Sequence, residues 1–169
     1  MASRKGTLLE RNVEQLLKLV GLKPELNKIY HGYEIDVFLR HNNHIIAFEC
    51  KQYEKSSLTV RNLIHQWDSK NKELNLDKIV LVFFGIELNN TDKELAKKYD
   101  ITVWDEHKLK NLLSKAIDKK EEFLEKLFSE IGIDTSNENL LLGAIPDLKV
   151  GALRPSLRNA DFRTQKFSP

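Results

Sequence analysis

With one cysteine, Cys50, among 169 residues, the chain can form neither an intrachain disulfide nor a cysteine-rich zinc site. No uninterrupted apolar run approaches the ~20 residues of a membrane-spanning helix, so a helical membrane protein is not expected. The opening Met-Ala-Ser-Arg-Lys-Gly-Thr lacks the apolar core of a secretory signal, and an intracellular, cytoplasmic protein is expected. Charge of one sign is also scarce. A formal net charge of +2 does not by itself argue for nucleic acid, and only segregated charges could build a basic patch. Ser56-Ser57 has no His and Asp partners at a suggestive spacing, which leaves a serine hydrolase unsupported. What is present, 41% hydrophobic and 31% charged residues, suits a soluble domain with a single apolar core. Composition does not decide function.

The pattern along the chain is more informative. Leu9, Val13, Leu16, Leu17 and Val20 share a helical face between Gly6 and Gly21, with Gly21 as C-cap and Pro24 beyond it. Residues 33–40 and 44–51 alternate with period two, the mark of half-buried strands, and Asn42-Asn43 between them suits a tight hairpin turn. A second helix is expected over 58–74 and a strand buried on both faces over 78–88. Thr91-Asp92-Lys93-Glu94 reads as a capping box starting a helix to Tyr99, followed by a strand at 101–104 and one long helix over 106–131. The order α-β-β-α-β-α-β-α gives an α/β fold, a mixed sheet flanked by helices. Periodicity stops after Gly132. A domain over 1–131 and an irregular, basic tail over 132–169, carrying Arg154, Arg158, Arg163 and Lys166 against Asp161, are expected.

The hairpin carries the chemistry. A two-residue turn at Asn42-Asn43 pairs His41 with His44 and, continuing, places Asp36 opposite Glu49 and Glu34 opposite Lys51. Directly opposed residues share a face, with Cβ atoms about 4.5–5.5 Å apart. The other face gathers Tyr33, Ile35, Val37 and Leu39 of the first strand with Cys50, Phe48, Ile46 and His44 of the second, and a slip of one residue would bury the carboxylates. Two carboxylates held this close repel unless a proton or a cation intervenes. A hard divalent cation such as Mg²⁺ suits them, with Mn²⁺ as a substitute and the Cys50 carbonyl as a further oxygen ligand. Lys51 points to the same side and can orient a water or stabilise developing negative charge. The plain alternative is a solvated Glu34–Lys51 ion pair, worth a few tenths of a kcal/mol.

The segment Gly-Tyr-Glu-Ile-Asp36-Val-Phe-Leu…Ala-Phe-Glu49-Cys50-Lys51 resembles the PD-(D/E)XK nuclease signature, with Ile35-Asp36 in place of proline-aspartate. It is similar to Mrr-type restriction endonucleases and archaeal Holliday-junction resolvases over about residues 6–113. The resemblance implies a restriction-endonuclease-like fold and a Mg²⁺-dependent endodeoxyribonuclease acting on duplex or branched DNA, commonly as a homodimer. Asp36, Glu49 and Lys51 then form the catalytic core, and Glu10 matches the first-helix glutamate that approaches the metal in these families. The second helix borders the site there, so Gln66 and Lys70 become candidates for supporting Lys51 or a phosphate.

Arg61, Lys70 and Lys72 are candidate phosphate contacts, and Glu34 a possible partner of Lys51. His41 and His44 flank the turn far from the acids and make no zinc site, whereas His31 lies near the start of the catalytic strand. Trp67 and Trp104 read as packing residues, and the aromatics Phe83, Phe84 and Trp104 as material for a dimer interface. Two other readings stay open: a non-catalytic DNA-binding or regulatory protein on the same scaffold, and an exonuclease or RNase using the same residues.

Overall fold

The computed structural model describes residues 3–52, 60–134, 159–160 and 165–166, with side chains over 8–52, 60–120 and 122–134. The expected Leu58 and Ser56-Ser57 and most of the basic segment after residue 134 lie outside them. Contacts divide the chain into one unit of Met1–Ile133 and another of Asp134–Pro169. In the second unit, β6 (Asn159–Ala160) pairs antiparallel with β7 (Gln165–Lys166).

The first unit begins with α1 (Ser3–Leu19), then β1 (Glu25–Tyr30), β2 (Tyr33–His41) and β3 (His44–Gln52). It continues with α2 (Val60–Leu74), β4 (Lys78–Phe84), α3 (Asn90–Lys98), β5 (Ile101–Trp104) and α4 (Glu106–Lys119). A 3₁₀ turn (Lys120–Phe123) leads into α5 (Leu124–Ile131). The five strands form one mixed sheet in the order β1-β2-β3-β4-β5, antiparallel over the first three and parallel from β3 to β5. This is the expected α/β architecture, with one strand more and the last helix broken.

Helices cover both faces of the sheet. Leu9, Val13, Leu16 and Leu17 of α1 join Leu109 and Leu112 of α4 and Leu127 and Phe128 of α5 in one cluster. Val60, Leu63, Ile64 and Trp67 of α2 join Ala96 of α3 in the other. β4 feeds both, Val80 and Val82 to the first and Ile79, Leu81 and Phe83 to the second, as its unbroken apolar run requires. Phe83 and Trp104 are fully enclosed in these layers, so two of the three aromatics expected at a dimer interface serve the core instead. Trp104 also donates its indole N–H to the Glu130 carbonyl at 3.2 Å, tying β5 to α5.

Local chemistry explains where elements start and stop. Asn42 and Asn43 both have positive φ, 51° and 73°, the geometry of the expected two-residue turn. His31 and Gly32, at 49° and 84°, make a second such turn between β1 and β2. The cap of α3 is Asn89, whose Oδ1 accepts from the Asp92 N–H at 2.8 Å, and not the Thr91 capping box. Lys120 adopts φ 48°, which ends α4 inside what reads as a continuous charged helix.

β1 sets the path of the sheet around Asp36. Its register with β2 runs Glu25–Phe38, Leu26–Val37, Lys28–Ile35, Ile29–Glu34 and Tyr30–Tyr33, passing over Asn27 and Asp36. Residues two apart on a regular strand share a face. Here Val37 and Leu39 pack in the cluster under α1, yet Ile35 packs in the cluster under α2. β2 therefore turns over at Asp36. Leu26 packs on the first cluster and Tyr30 on the second, so β1 turns over at the same level, where Asn27 has φ 51°. The uniform apolar face expected for Tyr33, Ile35, Val37 and Leu39 is thus split, and Phe38 and Ala47 make the face read as polar largely apolar.

Gly132, the αL cap of α5, sits against Lys78, and a Cβ there would lie 2.6 Å from Lys78 Cε. Gly132→Ala should lower the unfolding free energy by about 1–3 kcal/mol, read from the urea midpoint. An unchanged midpoint would contradict the left-handed φ of 104° at Gly132, since the flexible end of Lys78 can move aside.

Candidate active site

The site lies where β2 and β3 part. Their pairing follows the expected register from His41–His44 through Leu39–Ile46 to Val37–Phe48. Carried one narrow pair further, the alternation of an antiparallel ladder would give the Cys50 N–H to Ile35. Instead the Asp36 side chain takes it: Oδ2 accepts from the Cys50 N–H at 2.8 Å. A carboxylate substitutes for a backbone carbonyl, and this holds Asp36 near the plane of the sheet.

Glu49 and Lys51 flank Cys50 on β3. Their lateral neighbours on β4 are Leu81 and Phe83, both in the cluster under α2, so these two polar side chains start from that face. Cys50 itself packs on the α1 side. Lys51 Nζ lies 3.1 Å from Glu49 Oε2, and Glu49 is hydrogen-bonded to Asp36. The β2–β3 ladder ends at Val37–Phe48, so Glu34 and Lys51 are not a ladder pair as expected, and Lys51 pairs with Glu49 of its own strand. Asp36 is thereby in reach of acids from both layers.

The third acid comes from α1. Glu10 is only 8% exposed, and its Oε1 is buried without a hydrogen-bond partner among the described residues. Burial is the main reason its pKa rises from 4.5 to about 7, with Asp36 and Glu34 adding to the rise and Lys51 opposing it. Glu49 is raised too, first by burial and then by Asp36, against Lys51. The neighbouring Asp36 carboxyl thus adds to burial in favouring the neutral form of Glu49. Burial, with Asp36, Glu10 and Glu49 nearby, pushes the Cys50 thiol well above its ordinary range, which keeps it a thiol.

Glu10, Asp36 and Glu49, with the Cys50 carbonyl, form an all-oxygen donor set, the chemistry that hard divalent cations select. The Glu10 oxygen left without a partner among the described residues and the neighbouring Asp36 and Glu49 carboxyls fit such an ion. Among the described residues, no three His, Cys, Asp or Glu side chains stand close enough to hold an ion as placed. Closing on an ion therefore requires side-chain rotation, which Glu10, projecting from a helix, can supply.

The other candidates are dispersed. Arg61 and Gln66 are exposed on α2. Lys70 places its ammonium 4.6 Å from the Trp67 ring centre and 5.9 Å from that of Tyr33, a cation–π contact. His31 is exposed at the β1–β2 turn against Tyr30, and His41 stacks on Phe128. Among the described residues no helix is long and apolar enough to cross a membrane.

A mixed sheet between helices, with acids and a lysine where β2 and β3 diverge, defines a restriction-endonuclease-like protein of the PD-(D/E)XK class. The Mrr_cat restriction endonuclease family model matches residues 2–113, and the chain belongs to that family. Nucleases of this class generally use divalent metal ions. No curated protein matches the sequence. Among solved structures, AF1548, a protein of unknown function, is 15% identical with a TM-score of 0.53, the match covering 86% of this chain and 100% of that one. Can2 from Sulfobacillus thermosulfidooxidans, in complex with cyclic tetra-adenylate, is 17% identical with a TM-score of 0.54. That match covers 69% of this chain but 36% of Can2, so the likeness concerns the fold alone.

Carboxyls with raised pKa stabilise the fold at low pH. The contribution of Glu10 is complete below about pH 4.5 and is lost as pH rises through about 7. Metal-free protein should therefore melt lower at pH 8 than at pH 5.5. Glu10→Gln should raise the pH 8 melting temperature in EDTA by about 2–5 °C, roughly the shift of 1 kcal/mol in a domain of this size. A lower melting temperature for the variant at pH 8 would show that Glu10 is not strained there.

Proposed function

We propose that the chain is a Mg²⁺-dependent endodeoxyribonuclease that hydrolyses phosphodiester bonds in duplex or branched DNA. The observation that carries this reading is the Asp36–Glu49 carboxyl pair, with Lys51 3.1 Å from Glu49 and Glu10 arriving from the opposite layer. Asp36, Glu49, the Cys50 carbonyl and Glu10 would hold the ion. When bound, it supplies Lewis acidity toward a phosphoryl oxygen and a water that ionises near neutral pH.

The chain's own groups do the rest. Asp36 is fixed by the Cys50 N–H, so its free oxygen presents a constant direction. Glu49, whose pKa is raised in the metal-free protein, would serve as a ligand in its ionised form. Lys51, released from part of its pairing with Glu49, orients the attacking water and offsets charge on the phosphorane-like transition state. Gln66 and Arg61, exposed on α2, would touch phosphates, contacts that position DNA without reading sequence. Lys70, lying over two rings, would do so only on leaving Trp67.

The test incubates purified protein with linear duplex, single-stranded and four-way-junction DNA, in Mg²⁺ or EDTA. Internal cleavage in Mg²⁺ alone is expected, falling on the order of 10²–10³-fold in Asp36→Ala and in Lys51→Ala. Binding to DNA without cutting under any metal would instead favour a non-catalytic DNA-binding protein. Release of mononucleotides, or cleavage confined to RNA, would replace the endonuclease reading with an exonuclease or RNase.

A further inference from the structure

The geometry points to Asn27 as a positioning residue for the site: its left-handed backbone, opposite Asp36, is what turns the hairpin over and frees the Asp36 carboxylate to reach between the two layers. This inference rests on the nuclease reading for its consequence, but on backbone geometry for its premise.

Asn27 sits in the middle of β1 with φ 51°, a conformation that a strand interior does not normally contain and that asparagine tolerates better than most residues. The pairs on either side, Leu26–Val37 and Lys28–Ile35, stay in one register, so no residue has been inserted as in an ordinary bulge. The one position passed over places Asn27 across from Asp36. Both strands change face at that level. On β2, Val37 belongs to the α1 cluster and Ile35 to the α2 cluster; on β1, Leu26 packs on the former, and Lys28 lies 5.9 Å from the ring of Phe38 in the latter. A shared change of face needs a backbone that leaves the extended region, and on β1 that residue is Asn27.

The consequence falls on Asp36. In a regular β2 its side chain would follow Phe38 under α2, away from Glu10. At the turnover it lies near the sheet plane, accepts the Cys50 N–H at 2.8 Å, and influences both Glu10 on the α1 side and Glu49 on the other. Glu34, beyond the turnover, is also brought within electrostatic reach of Glu10. Asn27 is exposed, so its effect on the site runs through its backbone and not through core packing.

Two substitutions separate backbone from side chain. Asn27→Gly keeps access to positive φ, whereas Asn27→Val disfavours it and favours a regular strand. Mn²⁺ affinity by titration calorimetry and the Cys50 amide resonance in metal-free protein are measured alongside cleavage and melting temperature. The expectation is that Asn27→Gly matches wild type. Asn27→Val should stay folded with a lower melting temperature, move the Cys50 amide resonance, and lose about 10- to 100-fold in Mn²⁺ affinity and cleavage, both measured well below its melting temperature. Wild-type values for Asn27→Val, or equal losses in both variants, would overturn the proposal. If wild type neither binds Mn²⁺ nor cuts DNA, the nuclease reading fails alone, and the Cys50 resonance still decides the role of Asn27.

Discussion

The Asp36 carboxylate bound to the Cys50 N–H is the contact on which the site depends. Without it β2 and β3 would continue zipping toward Glu34 and Lys51, and each acid would stay on the face its strand assigned. With it the ladder stops at Val37–Phe48, and one charged side chain is held at the sheet plane, between a helix above and a helix below. Neither layer alone supplies enough oxygen atoms for an ion. The device that joins them is a side chain standing in for a main-chain acceptor.

That arrangement is costly in a folded protein. Two raised carboxyls, a buried oxygen at Glu10 without a partner among the described residues and a positive φ in a strand interior all oppose stability. The surroundings compensate with apolar layers on both sheet faces, from Leu16 and Leu17 of α1 to Ile64 and Trp67 of α2. Strain is thus confined to a few residues inside a rigid scaffold.

Much of this was legible in the residues. The Asn42-Asn43 turn fixed a register that holds as far as Val37–Phe48, and the apolar run of β4 marked an interior strand. Glu49, Cys50 and Lys51 could be placed because a period of two is robust in a buried strand. β1 was not legible, because its apolar residues are Leu26, Ile29 and Tyr30 and Ile29 is left 63% exposed, so no alternation of period two marks the strand. The turnover at Asn27 hid the true surroundings of Asp36. The break after Lys119 escaped because neither proline nor glycine marks it, and Asn89 was overlooked as a cap because Thr91 offered a plausible one. Membership of the Mrr_cat family over residues 2–113 agrees with the signature at Asp36 and Glu49.

The most direct measurement is anomalous diffraction from crystals of the protein grown with Mn²⁺. A peak is expected at roughly 2 Å from carboxylate oxygens of both Asp36 and Glu49, with the Cys50 carbonyl completing the inner side. A peak elsewhere, or none at this position at saturating Mn²⁺ with both side chains ordered, would contradict a cation shared by these two acids.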